Sequence, residues 1–544
     1  MAATQFDFIV VGAGSAGCVV ANRLSADGSQ RVLLIEAGGR DNNIKFRIPL
    51  MVVHLLKDER FTWPFVTEPQ KYLNDRTQLW VRGRVLGGSS SINGNVYVRG
   101  DPTEFDSWRG QGCPGWGYSD LLPYFKRMEN FAEGDPAQRG HGGPINVIKL
   151  EHFDRLADAF LDAAVEAGNK RNEDYNDGHY EGAAYLQYST RRGFRCSTSV
   201  AYLRPARARP NLEVWTDAVA TRVLFEGKRA VGLECRRGGE LVRVSAHKEV
   251  ILSAGPLQSP KLLELSGIGR PEILGSQGIS VLHALPGVGE NLSDHPNVRL
   301  TFECSAPITI NDVLQRPLTK VKEGLRYALF GTGLLSICSA TAHIVMRSRP
   351  EATQPDLKLQ LQPFSGKDRY ARRPQDGLDP HSGFTVGVMA LRPRSRGYVH
   401  LASKDPLAYP KIDPNYLSDA ADADVLLAGI KAVRRLADTP ALSNFVVRET
   451  RPGPAVRTND EILGYIRATT QTTWHVVGSC KMGNDSDAVV DAELRVRGVD
   501  GLRVVDSSIF PTIPSSNTNA ATIALGEKGA DLVLHSWKNI AAAA

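Results

Sequence analysis

Between residues 6 and 36, FDFIVVGAGSAGCVVANRLSADGSQRVLLIE, the apolar positions change period twice. A continuous apolar run, Phe8 to Val11, predicts a strand buried on both faces. Cys18, Val19, Ala21 and Leu24 then recur at helical spacing, and Val32 to Ile35 predicts a second buried strand. Gly12, Gly14 and Gly17 fall at the strand-to-helix turn, so the unit reads β, turn, α, β. Further on, VATRVLFEGKRAVGLECRR reads as paired strands turning at Glu226-Gly227-Lys228, with another turn at Gly238-Gly239. Val250 to Ser253 predicts a buried strand, followed by a Gly-Pro break and an amphipathic helix carrying Leu257, Leu262, Leu263 and Leu265. DLKLQLQPF, residues 356–364, alternates like a sheet strand, and residues 422–437 set Leu426, Ile430, Val433 and Ala437 on one helix face, expected in a core. A strand from Leu502 to Val505 and a helix beginning around Thr518 and Asn519 close the pattern.

A chain of 544 residues exceeds one ordinary core and can bury a large cofactor. Its apolar share of 42% and charged share of 23% are those of a globular protein, which excludes extensive disorder. The net charge of +6 is small for this length. Arg191, Arg192, Arg195, Arg204, Arg207 and Arg209 crowd one stretch with few interleaved aromatics, so they read as a solvated face and not a nucleic-acid site. The stretch Tyr327 to Met346 has no formal charge, but its glycines and hydroxyls make it too polar to span a bilayer, and a buried loop and strand are expected there. Seven cysteines without a C-x-x-C pair, and no secretory signal, point to reduced thiols in a cytoplasm. Neither H-E-x-x-H nor G-x-S-x-G occurs; no metal site is expected and a serine hydrolase is excluded.

The glycine turn carries the first chemistry. Gly12 permits the tight turn, Gly14 lets backbone approach a pyrophosphate, and Gly17 lets helix and strand pack closely, while the helix start offers free N–H groups to phosphate. Glu36 ends the second strand, twenty-four positions after Gly12, where it can accept from both ribose hydroxyls. It would repel a ribose phosphate, favouring FAD or NAD over NADP. Glycine-rich elements continue past the length of a nicotinamide domain: GRVLGGSSSINGNVYVRGDPTEFD brings Gly87, Gly88, three serines and Asn93 into one loop able to face phosphate or a ring edge.

That segment and Gly255 to Gly269 resemble the two signatures of the glucose–methanol–choline (GMC) oxidoreductases. PGVGENLSDHP, IDPNYLSD and WHVVGSCKMG follow in that family's order. The likeness covers essentially the whole chain and is greatest to bacterial choline-dehydrogenase-like alcohol dehydrogenases and furfuryl or aryl alcohol oxidases. It implies a mixed α/β fold: a Rossmann-like FAD-binding domain with a parallel sheet and inserted β-meander (residues 1–300, completed by 470–544), and a substrate domain with an antiparallel sheet flanked by helices (301–469). The family's C-terminal region would span about 390–535. Cofactor contacts implied by the resemblance are Gly12, Gly14, Ser15, Ala16, Gly17, Glu36, Ala37, Gly87, Gly88, Ser89, Asn93, Gly94, Val96, Ala220, Trp474, Asp506, Ser507, Asn517 and Thr518. Some relatives link FAD through a histidine before the asparagine of the first signature. This chain has Ile92 there, so non-covalent FAD is expected.

The resemblance also makes His475 and Asn517, forty-two positions apart, the catalytic pair. Asn517 would hold an alcohol oxygen while His475 takes its proton, and Trp474, Val476 and Val477 would form an apolar wall keeping the imidazole neutral. Asp506 ends its strand where it can reach the cofactor's phosphate or sugar side, and His295 and His343 are placed as structural or substrate-side histidines. The expected reaction is oxidation of a primary alcohol, aryl, furanic or aliphatic, with electrons passing to O2, a quinone or another acceptor. A hydroxynitrile-lyase-like enzyme of the same fold and a non-catalytic flavin-binding protein are the alternatives.

Overall fold

The computed structural model describes residues 5–368, 371 and 374–543. It opens with β1 (Gln5–Val11), α1 (Gly17–Leu24) and β2 (Val32–Ile35), the unit that the glycine spacing predicts. β1 and β2 are parallel, and β2 is buried throughout, as a strand covered on both faces must be. A long excursion contributes β3 (Gly182–Tyr185) to a second sheet before β4 (Leu212–Trp215) pairs in parallel with β2.

The meander follows as β5 (Ala218–Glu226), β6 (Arg229–Arg237) and β7 (Glu240–Leu252). β7 changes partners along its length: its first part lies antiparallel to β6, and its remainder runs parallel to β1 and, at its end, to a strand from the C-terminal segment. Meander and nucleotide-binding unit are therefore one sheet.

The second sheet takes β8 (Pro296–Cys304), then, beyond helix α2 (Pro317–Phe330), β9 (Ala342–Met346), β10 (Leu357–Gln362) and β11 (Gly383–Ala390). After helix α3 (Ala420–Ala437) comes β12 (Val446–Arg451), giving the antiparallel order β12-β8-β11-β10-β9-β3, with Gln471–Thr472 also on β8. β13 (Leu502–Val504) then returns to the first sheet beside β7, and α4 (Asn519–Ala543) packs on α1.

The alternation in β10 sorts its residues by face. Leu357, Leu359 and Leu361 join Leu426, Ile430 and Val433 of α3 in one core, which leaves Lys358, Gln360 and Gln362 on the opposite face. The first sheet has a separate core.

Two sequence expectations change. Tyr327 to Met346 is not all buried loop and strand: its start is the last turn of α2, where Leu329 and Phe330 are 72% and 73% exposed, and only β9 is a buried strand. A missing charge does not dictate burial when a helix ends at the surface, here at left-handed Gly331. The arginine cluster is not one solvated face either. Arg195 is buried and donates to Asn93 Oδ1 (2.7 Å), Arg204 pairs with Asp41, and Arg209 donates to Ser25, while Arg191 and Arg192 stay exposed. Among the described residues no helix is long and apolar enough to cross a membrane.

Candidate active site

One continuous cavity runs between the two sheets. Gly12, Gly14, Ser15, Ala16, Glu36 and Ala37 line it from the first β-α-β unit; Gly88, Ser89, Asn93, Gly94, Val96 and Ala220 line it from later segments; Trp474, His475, Asp506, Ser507, Asn517 and Thr518 face it from the C-terminal segment. Two expected contacts stand behind the wall. A Cβ on Gly17 would lie 1.9 Å from Gly12 O, so Gly17 serves helix–turn packing, and Gly87, left-handed at φ +88°, donates its N–H to Ala13 O. Neither touches the cavity.

The cavity walls suit FAD. Gly14 and Gly88, from separate loops, meet so closely that a Cβ on Gly88 would come 2.8 Å from Gly14 Cα, which keeps the channel open to a pyrophosphate. Glu36 accepts from Ala13 N–H (2.9 Å) and Gly38 N–H (2.8 Å), and burial raises its carboxyl to about 7. Each of its oxygens keeps a second lone pair for a ribose hydroxyl. Asp506 also lines the cavity and has partners of its own within the wall. Its Oδ2 accepts from Gly255 N–H and Ser259 O–H, and its Oδ1 from Ser508 N–H, so it braces the wall from within.

The wall around His475 is built on residues 472–475. Asp294, a residue the sequence reading passed over, accepts from His475 N–H (2.7 Å), Thr472 O–H (2.5 Å) and Tyr416 O–H. With Arg82 donating to Trp474 O (2.7 Å), these bonds hold Trp474 at φ +60°, a conformation a tryptophan adopts only under external constraint. The strained turn aims His475 into the cavity. Val476 and Val477 do not form its wall: each is buried in one of the two cores. The imidazole's own neighbours are polar, and it is kept neutral by burial first and then by the positive charges of Lys358 and Arg82, which hold it well below the ordinary imidazole value.

The hydrogen bonds fix which nitrogen carries the proton. His295 Nε2 lies 3.0 Å from Leu391 O, which can only accept, so Nε2 is protonated and neutral His295 offers Nδ1 as an acceptor. Burial takes His295 down to about 3, which supports the neutral form. His475 Nδ1, 3.0 Å from His295 Nδ1, must then be the donor, leaving His475 Nε2 unprotonated. The other side gives the same answer. Protonated Lys358 has only donors, and its Nζ is 3.1 Å from Asn517 Oδ1, so Asn517 Nδ2 turns to His475 Nε2, 3.0 Å away, and donates to it. Both ends of the chain of bonds leave His475 Nε2 unprotonated, with its lone pair accepting from Asn517 Nδ2 at the cavity wall.

His295 and Lys358 are therefore functional in geometry though neither lines the cavity, whereas His343 packs on the Tyr175 ring (4.4 Å between centroids) outside it. Lys358 is wholly buried, and burial lowers its amine to about 7. Changing Lys358 to Met removes the donor that sets the Asn517 amide and the charge that depresses His475. We expect alcohol turnover to fall roughly tenfold, the worth of one such hydrogen bond. The acid limb of the pH profile should move upward. An unchanged limb in steady-state assays would show that Lys358 acts on packing alone.

GMC oxidoreductase family models match residues 6–297 and 393–526. The chain is 41% identical over 98% of its length to an oxygen-dependent choline dehydrogenase of Photobacterium profundum, covering 93% of that protein. It is 40% identical over 97% to an alcohol dehydrogenase (acceptor) of Pseudomonas putida, covering 96% of it. The solved structure of an FAD-dependent oxidoreductase from Chaetomium thermophilum aligns with a TM-score of 0.90 at 27% identity, over 98% of this chain and 100% of that one. The chain belongs to the GMC oxidoreductases, FAD-dependent enzymes that act on CH–OH groups.

Proposed function

We propose that the protein oxidises an uncharged primary alcohol to the aldehyde with non-covalent FAD. The observation that carries this reading is the unprotonated Nε2 of His475 paired with Asn517 Nδ2 at the cavity wall, where an alcohol oxygen can take the amide's bond. An alcohol oxygen entering between them accepts from Asn517, and His475 takes the hydroxyl proton as negative charge builds on that oxygen. FAD bound in the cavity supplies the acceptor for the hydride leaving the carbinol carbon. His475, 9% exposed, does its part away from bulk water. Ile92 lines the cavity before Asn93 and offers no nucleophile for a flavin link.

The preference for an uncharged substrate rests on the walls. Trp63, Phe65, Leu56 and Met389 give apolar surface, while Asn297 and Gln360 give carboxamides. Among the described lining residues the carboxylates are Glu36 and Asp506 alone, both engaged by main-chain N–H groups. A quaternary ammonium such as choline would lack a carboxylate partner at the cavity wall beside His475, since Asp294 is not among the lining residues. Under argon, benzyl, furfuryl and short aliphatic alcohols should bleach the flavin band at least about tenfold faster than choline at equal concentration, the cost of leaving a cation unpaired. Fastest bleaching by choline would overturn the substrate class; bleaching by none would overturn the oxidation itself and favour a lyase.

A further inference from the structure

Helix α2 carries a surface that neither core nor cavity uses. Leu318, Val321, Leu325 and Leu329 follow one another at steps of three and four, so they form one stripe, and they are 87%, 60%, 57% and 72% exposed. Phe330 extends it. The opposite side is the anchored one: Tyr327 is buried and donates to Gly193 O (3.0 Å). Proline at the first helical position and left-handed Gly331 at the end define the helix without help from the exposed residues. Leucines at these exposures are what an amphipathic helix presents when its apolar face has a partner.

Charge identifies that partner. Lys322 and Arg326 are exposed along one flank of the stripe, Arg316 and Lys320 are exposed elsewhere on the helix, and the helix's one acid, Glu323, turns inward to accept from Leu334 N–H, 3.9 Å from Arg326. Exposed Arg192 lies against the C-terminal end of the helix, its carbonyl oxygen 2.6 Å from where a Cβ on Gly331 would sit, and exposed Arg47 stacks over Phe194 beside it. Apolar side chains flanked by cations match a bilayer surface bearing anionic headgroups. The position also has a use. The short helical segment Leu334–Ser336 after α2 packs on Pro49–Met51, and the residues following these two segments, Ser339 with Cys338 on one side and Val52 with Val53 on the other, line the cavity.

We propose that α2 docks the protein peripherally on an anionic membrane surface, with the wall of the substrate cavity next to the lipid. Apolar alcohols or a lipid-soluble electron acceptor would then be delivered along the docked side.

Sedimentation of the flavin-loaded protein with vesicles tests this. Mixed phosphatidylcholine–phosphatidylglycerol vesicles should carry down at least about tenfold more protein than pure phosphatidylcholine vesicles, and added salt should reduce the difference. The double variant Leu325→Glu, Leu329→Glu should lose binding while keeping the flavin spectrum and alcohol-dependent bleaching, since neither residue touches the cavity. Lys322→Glu should weaken the preference for anionic lipid. Equal binding to both vesicle types, or undiminished binding by the leucine variant, overturns the proposal. So does light scattering that shows a wild-type dimer dissociated by the leucine variant without any lipid binding, which would make α2 an interface between copies.

Discussion

His475→Ala should yield a protein that still binds flavin but that alcohols scarcely bleach. The imidazole makes no bond that the fold depends on: its Nδ1 meets His295 and its Nε2 meets Asn517, while the backbone of the turn is held separately by Asp294 and Arg82. Alanine therefore removes the base and leaves the turn. General-base catalysis is worth roughly a hundred- to ten-thousand-fold, and anaerobic bleaching should slow by that much. The pH dependence of the wild type makes the assignment sharper. A free histidine would lose its base form as pH falls through about 6.5, but burial depresses His475 well below that value, so its neutral form persists and the rate should stay level through that region, with the acid limb lying lower. Lys358, at about 7, changes charge in the same window but remains a donor to Asn517 in both forms. A limb centred at or above 6.5 would assign the base to another group, as would undiminished bleaching by the alanine variant.

The dinucleotide turn was legible because its chemistry is local: three glycines, a strand on each side and an acid at the end of β2 lie within thirty-odd residues, and backbone sterics alone demand them. The period-two pattern of β10 likewise announced a strand with one apolar face. What it did not announce was the use of the other face. Lys358 alternates with leucines as any solvent-facing lysine would, and only the second sheet's position against the C-terminal segment turns it inward toward Asn517, 159 residues away. His295 and Asp294 were hidden for the same reason, being some 180 residues from His475 in the chain. The expected apolar wall of valines failed for a related cause: sequence neighbours of a residue in a tight turn point elsewhere, and the groups that depress His475 come from other elements.

Gly17→Ala should cost both the cofactor and part of the fold. Gly12 sits at φ +99° with its N–H bonded to Ile35 O, which fixes the direction of its carbonyl, and that carbonyl points at the place an alanine methyl at 17 would occupy, 1.9 Å away. Neither side can yield cheaply. A Cβ on Gly12 would itself be 2.5 Å from Ser253 O, so the turn is already pressed against β7, and α1 is backed by α4, where Gly526 leaves only 3.1 Å from its own imagined Cβ to Ala16 Cα. Relief requires α1 to slide off the turn, which would draw Ala13 N–H from Glu36 and displace Ser15 from Asn519. Overpacking of this kind costs about 1–3 kcal/mol or more, and the same movement spoils the phosphate cradle. Gly14 provides the control, because a methyl there meets nothing nearer than Ser253 O at 3.9 Å and projects into the cavity. Gly14→Ala should therefore lower flavin occupancy yet leave the apo-protein's melting temperature unchanged, whereas Gly17→Ala lowers both. Equal melting of the two apo-proteins would mean that the glycine turn has more slack than its packing implies, and that Gly17 is needed by the cofactor and not by the helix.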